Sequence, residues 1–213
     1  MKEIHLKVPL LNQPKGTPHC AVASMRMIMA YNGELLSHNQ TLESFPEINK
    51  TRVGITPATA RFLVESGYDV TYIMHQEELL LDGILEDKSE KDIEHIKGTL
   101  DSSDVDVKSR EQWNQIYKLI ETGGHFSTKL ATLDNVNSYL ERKIPVRIGV
   151  KSSIFYSDPE DKNNHAVVVI GRKNGEYLIN DPAPKFTESY WIEKDKLQKA
   201  WRANGSLLLV ATK

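Results

Sequence analysis

The 213-residue chain contains a single cysteine, so no internal disulfide can form and the fold must rest on its core. It also lacks a charge surplus. Twenty-seven basic against 29 acidic residues give a formal charge of -2, which offers no electrostatic footprint for nucleic acid or an anionic membrane. The opening "MKEIHLKVPLLNQ" has no apolar run of the signal-peptide kind, and no later stretch approaches a membrane span. A soluble protein with a free thiol is expected, as in a reducing cytoplasm; a secreted chain freed of its export signal reads the same way. Absent too are a G-x-S-x-G elbow, a P-loop, H-E-x-x-H and paired-cysteine zinc spacing. Serine-hydrolase, nucleotide and zinc-hydrolase chemistry therefore lose ground, and no metal or cofactor is called for.

What is present is ordinary globular composition, enough for one sizeable domain. "IHLKVPL" (4–10) alternates and meets Pro9, predicting a short edge strand. From Pro18 to Tyr31 nearly every position is apolar or small around the whole helical wheel, interrupted mainly by Arg26, which predicts a buried helix. "TPATARFLVESGYDVTYI" (56–73) predicts a helix opened by Thr56 and Pro57, closed near Gly67, then a strand. Residues 76–125 are charge-rich, with clusters such as "EDKSEKD", and predict one or two surface helices around Ile93, Ile96 and Trp113. "LDNVNSYLERKIPVRIGV" (133–150) sets Val136, Tyr139 and Leu140 on one helical face before Pro145 and a strand. Four β-rich runs follow, "HAVVVIG", "EYLIND", "FTESYWI" and "SLLLVAT", and together they predict a mainly antiparallel C-terminal sheet. The Met25, Met27 and Met29 run and the three tryptophans, Trp113, Trp191 and Trp201, read as packing or cleft-wall residues.

Cys20 stands where a loop becomes the buried helix. With Thr17 as cap and Pro18 at the first helical position, the thiol falls in the first turn, at the positive end of the helix dipole, where thiolate is favoured. Taken alone, a lone cysteine on such a helix reads as core packing, because free cysteine is among the most buried residue types. A base decides the matter. Of seven histidines, His5, His38, His75, His95 and His125 have no partner at a telling spacing, and His19 diverges from Cys20 by about 100° on the helix. His165 opens the strand "HAVVVIG", and the next strand ends in "INDPAP" with Asp181.

Whether His165 and Asp181 share a face of the sheet depends on the hairpin between them. A two-residue Asn174-Gly175 turn with unbroken pairing sets Val168 opposite Asp181 and sends the two side chains to opposite faces. A three-residue loop, Lys173-Asn174-Gly175, with Gly175 left-handed, sets Arg172 opposite Glu176 and Val167 opposite Asp181. His165 and Asp181 then become same-face diagonal neighbours. The expectation is the odd-numbered loop, with Pro182 holding Asp181 extended. Such a set suffices for nucleophilic acyl chemistry: thiolate attack, proton transfer by His165, orientation of the imidazole by Asp181. Gln13, in the loop before Cys20, has an amide able to join the Cys20 N–H as an oxyanion donor, although a lone loop glutamine more commonly faces solvent.

The segments "VPLLNQ", "TPHCAVASMRMIMAY", "GITPATARFLVESGYDV", "LERKIPVRIGV" and "NHAVVVIGRKNGEYLINDPAP" resemble, in order, those of papain-like cysteine peptidases. The likeness is to the bacteriocin-processing double-glycine leader peptidases and their stand-alone bacterial relatives. It implies Cys20 as nucleophile, His165 as base, Asp181 as third member and Gln13 as oxyanion donor. Ala21 stands where that family often has glycine, and the interval from Gln13 to Cys20 is slightly long. The expected architecture is a single α+β, papain-like domain over residues 1–213, its buried N-terminal helix packed on a C-terminal antiparallel sheet, with a charged helical insert at about 76–125. The expected activity is hydrolysis of a peptide or protein through a thioester. An acyltransferase or transpeptidase would use the same residues, and a catalytically silent peptide-binding module would retain only the cleft. Added amine separates the first pair, and resistance of Cys20 to alkylation marks the last.

Overall fold

A computed structural model describes residues 3–46, 48, 55–75, 96, 98 and 107–213. Ile93, His95 and the "EDKSEKD" cluster lie outside the described residues. Among the described residues there are seven helices and one eight-stranded sheet, the α+β composition expected. No helix among them is long and apolar enough to cross a membrane.

In chain order the elements are β1 (Ile4–His5), α1 (Cys20–Tyr31), α2 (His38–Ser44), α3 (Ile55–Glu65), β2 (Asp69–Ile73) and α4 (Val107–Glu121). Then come β3 (His125–Ser127), α5 (Leu133–Glu141), β4 (Val146–Lys151), α6 (Ser152–Phe155) and β5 (Asn164–Lys173). The chain ends with β6 (Glu176–Asn180), β7 (Tyr190–Glu193), α7 (Lys194–Arg202) and β8 (Leu208–Thr212). The sheet runs β3-β2-β8-β4-β5-β6-β7, antiparallel except for the parallel β2–β3 pair.

The apolar circumference of α1 does bury it: every residue from Ala21 to Met29 is buried, Ser24 and Arg26 included. Its start differs from expectation. The Thr17 hydroxyl does not cap α1 but donates to the Pro14 carbonyl at 2.8 Å, closing the turn that precedes the helix. Pro18 therefore lies outside the helix, His19 occupies the cap position without a side-chain capping bond, and Cys20 is the first helical residue. The thiol ends up nearer the dipole's positive end than a Thr17 cap would leave it. The helix α3 closes as its glycine requires: Gly67 has φ +84°, and Tyr68 N–H reaches back to Leu63 O at 3.0 Å.

Two hydrophobic clusters hold the layers together. One gathers Val22, Met25 and Ile28 of α1 with Leu63 of α3, Tyr72 of β2, Trp113 of α4 and Leu209 of β8. The other gathers Ile148, Val167 and Leu208 of the central strands with Val136 and Leu140 of α5 and Leu197 and Trp201 of α7. Thus the surface helix expected around Trp113 is α4, which seats Trp113, Ile116 and Leu119 in the core while Val107 and Glu121 stay exposed; Ile96 is buried as well. Helix α7, between β7 and β8, has no counterpart in the sequence reading.

The short edge strand expected within residues 4–10 forms, but only over Ile4–His5, and it is paired on one side alone. It pairs with Gly171 and Arg172 of β5, on β5's flank just beyond the point where β4 stops pairing at Val169. There the Ile4 carbonyl comes within 2.4 Å of where a Cβ on residue 171 would stand, so only glycine fits.

The hairpin joining β5 and β6 overturns one expectation and preserves its consequence. The turn has two residues, Asn174 and Gly175, at φ +46° and +82°, with Lys173 paired to Glu176, which is the left-handed pair a tight hairpin demands. The pairing does not run on unbroken. Gly171 faces Leu178 while Val169 faces Ile179, so Ile170 is an extra residue, a bulge. It sits where β5 changes partner from β4 to β1, and its carbonyl accepts from Leu6 N–H at 2.7 Å. Beyond the bulge Val168 faces Asn180, and the register carried one step further sets Val167 opposite Asp181. The odd residue needed for parity is in the strand, not in the loop.

Candidate active site

With parity restored, His165 and Asp181 meet: Nε2 of His165 lies 2.8 Å from Oδ1 of Asp181. The imidazole's other nitrogen is left for Cys20, whose thiol and charge act on His165. Three residues far apart in the chain thus act on one another, and each comes from an element end. Cys20 opens α1, His165 lies at the start of β5, and Asp181 follows β6 directly. The His165 side chain is 10% exposed and that of Asp181 not at all.

A fully buried carboxylate is expensive unless all its lone pairs are used. Asp181 uses four: Oδ1 accepts from His165 and from Ala183 N–H at 2.9 Å, and Oδ2 accepts from the hydroxyls of Tyr156 at 2.9 Å and Tyr190 at 2.8 Å. Burial alone would raise its pKa, but the bonds and the charge of His165, helped by Ala183 and Tyr190, bring it below the ordinary carboxylate value. Both tyrosines answer in kind, their ionisation suppressed by burial and by the adjacent anion. For His165, burial pulls down, yet hydrogen bonds to Asp181 and Cys20 and their charges push the imidazole up to about 9. For Cys20, burial pushes up, and the bond to and charge of His165, the Ala166 N–H and the charge of Arg147 bring the thiol down. The balance favours thiolate beside imidazolium.

The approach to Cys20 is pinned from the Asp181 side. Gln13 N–H donates to the Pro182 carbonyl at 2.8 Å, and the Asn12 amide donates to the carbonyls of Ala183 and Phe186, both at 3.0 Å. Gln13 itself is half-buried near the start of α1, its Nε2 donating to the Thr17 carbonyl at 2.5 Å while Oε1 is buried without a partner. An amide nitrogen carries two hydrogens, so one remains beyond the Thr17 bond. The N–H groups of the first turn of α1 have no intrahelical acceptors.

His19 plays no part toward the thiol; its Nδ1 lies 2.9 Å from Nε2 of His38, with the rings stacked. His75 turns to the Thr128 carbonyl at 2.9 Å, and His125 stands 3.5 Å from Asp69. His5 remains exposed in β1. Among the described residues no three His, Cys, Asp or Glu side chains are grouped to hold a metal ion.

Sequence reasoning missed Tyr156, Tyr190 and Arg147. Tyr156 follows the one-turn helix α6 and Tyr190 opens β7, positions that no spacing rule connects to Asp181. Arg147 did carry a signal, a lone charge inside the apolar run "IPVRIGV". Beside the tyrosines a cavity of about 480 Å³ is lined by Phe155, Tyr156, Phe186, Tyr190 and Trp191, so Trp191 is a wall residue while Trp113 and Trp201 are core.

Among solved structures, a C39-like peptidase from Bacillus anthracis is similar over 100% of this chain and 98% of its own, at 16% identity and a TM-score of 0.52. A double-glycine-motif protease from an AMS/PCAT transporter, solved in complex with its leader peptide, is similar over 99% of this chain and 97% of its own, at 14% identity and a TM-score of 0.50. These likenesses speak for the fold, which is the papain-like α+β architecture of C39 peptidases. No curated protein sequence matches the chain. A family model does match, across residues 5–208, and so takes in Gln13, Cys20, His165 and Asp181: the chain belongs to the Peptidase_C39 like family.

Proposed function

We propose that the protein is a cysteine peptidase in which Cys20 is the nucleophile, His165 the proton carrier and Asp181 the residue that orients the imidazole. The observation that carries this reading is the bond from His165, which also interacts with the Cys20 thiol, to a buried carboxylate saturated with donors. In the resting ion pair the proton resides on the imidazole. The thiolate attacks the carbonyl of a peptide bond, and the resulting oxyanion draws on the Cys20 N–H and the remaining Gln13 Nε2 hydrogen. His165 then gives its proton to the departing amine, leaving a thioester on Cys20. Water, deprotonated by His165, attacks the thioester; the acid departs, and the thiolate–imidazolium pair is restored. No step requires a group from outside this set other than water. The substrate is a peptide or an extended protein segment, because the chemistry needs an accessible carbonyl in an unpaired backbone.

The test is cleavage of a mixed peptide library followed by mass spectrometry of new termini, with wild type, Cys20→Ala and His165→Ala. Cleavage by wild type alone, with a trappable acyl adduct on Cys20, is the expected result. If wild-type Cys20 alkylates no faster than free cysteine and no peptide is cut, the reading is wrong.

A further inference from the structure

Arg147 is fully buried in β4, on the sheet face it shares with Val168 and Leu209, the residues directly opposite it. That face looks toward α3, whose hydroxyls take its two terminal nitrogens: Nη1 donates to Thr59 Oγ1 at 2.7 Å and Nη2 to Thr56 Oγ1 at 2.8 Å. Its Nε is buried without a partner. Among the described residues no carboxylate pairs with it. A buried cation held only by neutral hydroxyls is costly, because the charge is desolvated and nothing returns the Coulomb energy. Leu209, opposite Arg147, packs in one cluster with Tyr72 and with Val22 and Met25 of α1, the helix that Cys20 opens, and the charges of Tyr72 and Cys20 both act on the guanidinium. The Tyr72 hydroxyl is buried, donates to the Met74 sulfur at 3.3 Å and has its ionisation suppressed by burial, so it is not the counter-charge. What remains is the thiolate of Cys20.

We propose that Arg147 is a positioning residue for the nucleophile, a buried cation beneath α1 whose missing counter-charge is the Cys20 thiolate. This rests on the peptidase reading of Cys20. The groups facing the thiol are then His165 from β5, Tyr156 beyond α6 and Arg147 from β4, with Asp181 one step behind His165. The other basic groups near α1 are turned elsewhere: Arg26 donates to the Leu36 carbonyl at 2.8 Å, and His19, whose pKa burial lowers, turns to His38. His165 both holds the thiol's proton and attracts the thiolate, whereas Arg147 only attracts. A guanidinium suits the second role, because even with burial pulling it down to about 10 it stays charged at neutral pH and never competes for the proton.

The single cysteine makes the test direct, since iodoacetamide labels no other thiol. The rate of labelling against pH is measured for wild type, Arg147→Met, Arg147→Gln and Arg147→Lys, with a thermal melt for each. The neutral variants should label about three- to tenfold more slowly on the acid limb, the equivalent of moving that limb up by about half to one pH unit. The lysine variant should restore most of the rate. Glutamine keeps donors toward Thr56 and Thr59, so it reads out charge even if the methionine variant does not fold. An unchanged acid limb in a folded neutral variant, with only the melting temperature lowered, would mean that Arg147 merely braces α3 and would overturn the proposal. Failure of the lysine variant to restore the rate would overturn it as well. If wild-type Cys20 itself labels at the rate of free cysteine, the peptidase reading fails first, and the two failures are thereby distinct.

Discussion

Asp181→Asn separates charge from shape at the site. In wild type the two carboxylate oxygens accept four hydrogen bonds, two on the His165 side and two on the tyrosine side. An asparagine with Oδ1 facing His165 and Ala183 keeps the first pair. Its Nδ2 then faces the phenolic oxygens, which are acceptors as well as donors and need only rotate their protons away. Every group stays paired, so the fold should lose little. Alanine, by contrast, leaves four donors without an acceptor; at about 1–3 kcal/mol for each unsatisfied buried group, that is a large part of a stability of about 5–15 kcal/mol. What asparagine removes is the negative charge. His165 stands at about 9 against an ordinary 6.5, a preference for the imidazolium of roughly 3 kcal/mol at about 1.4 kcal/mol per pH unit, won against burial by the bonds and charges of Asp181 and Cys20. If Asp181 supplies about half, the alkaline limb of activity falls by about one pH unit in Asp181→Asn. Stability should follow the same sign. A raised histidine pKa contributes stability fully present below about 6.5 and lost as pH rises through about 9, so the variant should begin losing that share at lower pH. Labelling of Cys20 and peptide turnover between about pH 5 and 10, with urea melts alongside, measure both effects. An alkaline limb identical to wild type, or a variant as unstable as Asp181→Ala, would refute the reasoning.

Tyr156→Phe and Tyr190→Phe should each cost about 1–2 kcal/mol in urea melts, the worth of a hydrogen bond to a charged group. The Asp181 contribution, present above about pH 4 and lost as pH falls through its lowered folded value, should shrink in both, so acid unfolding begins at higher pH. Gly171→Ala should destabilise by about 1–3 kcal/mol, because its Cβ would meet the Ile4 carbonyl at 2.4 Å, and amide exchange should show β1 released first. Gln13→Ala should lower kcat about a hundredfold with KM little changed if the amide serves the oxyanion, and a KM effect alone would argue against that role.

Much of this protein was legible as pattern. Apolar positions around the whole wheel of residues 18–31 required a buried helix, and Gly67 and the β-rich runs after residue 145 marked their elements, because burial and backbone conformation leave local traces. The residue types of the site were legible too, through a cysteine at a helix start and a histidine and an aspartate on successive strands. Other features carried no local trace. Thr17 looked like a cap until the turn at Pro14 claimed its hydroxyl, and α7 was not foreseen. The face that Asp181 occupies depends on one extra residue, and nothing near the Asn174-Gly175 turn tells whether that residue lies in the loop or at Ile170. The bulge forms where β1, more than 160 residues earlier in the chain, replaces β4 on the flank of β5. Likewise the donors that saturate Asp181 and the uncompensated charge of Arg147 come from separate elements. The chain's pattern determines which segments bury and which groups can react; tertiary packing decides strand parity, hydrogen-bond saturation and local charge, because these are sums over neighbours distant in sequence.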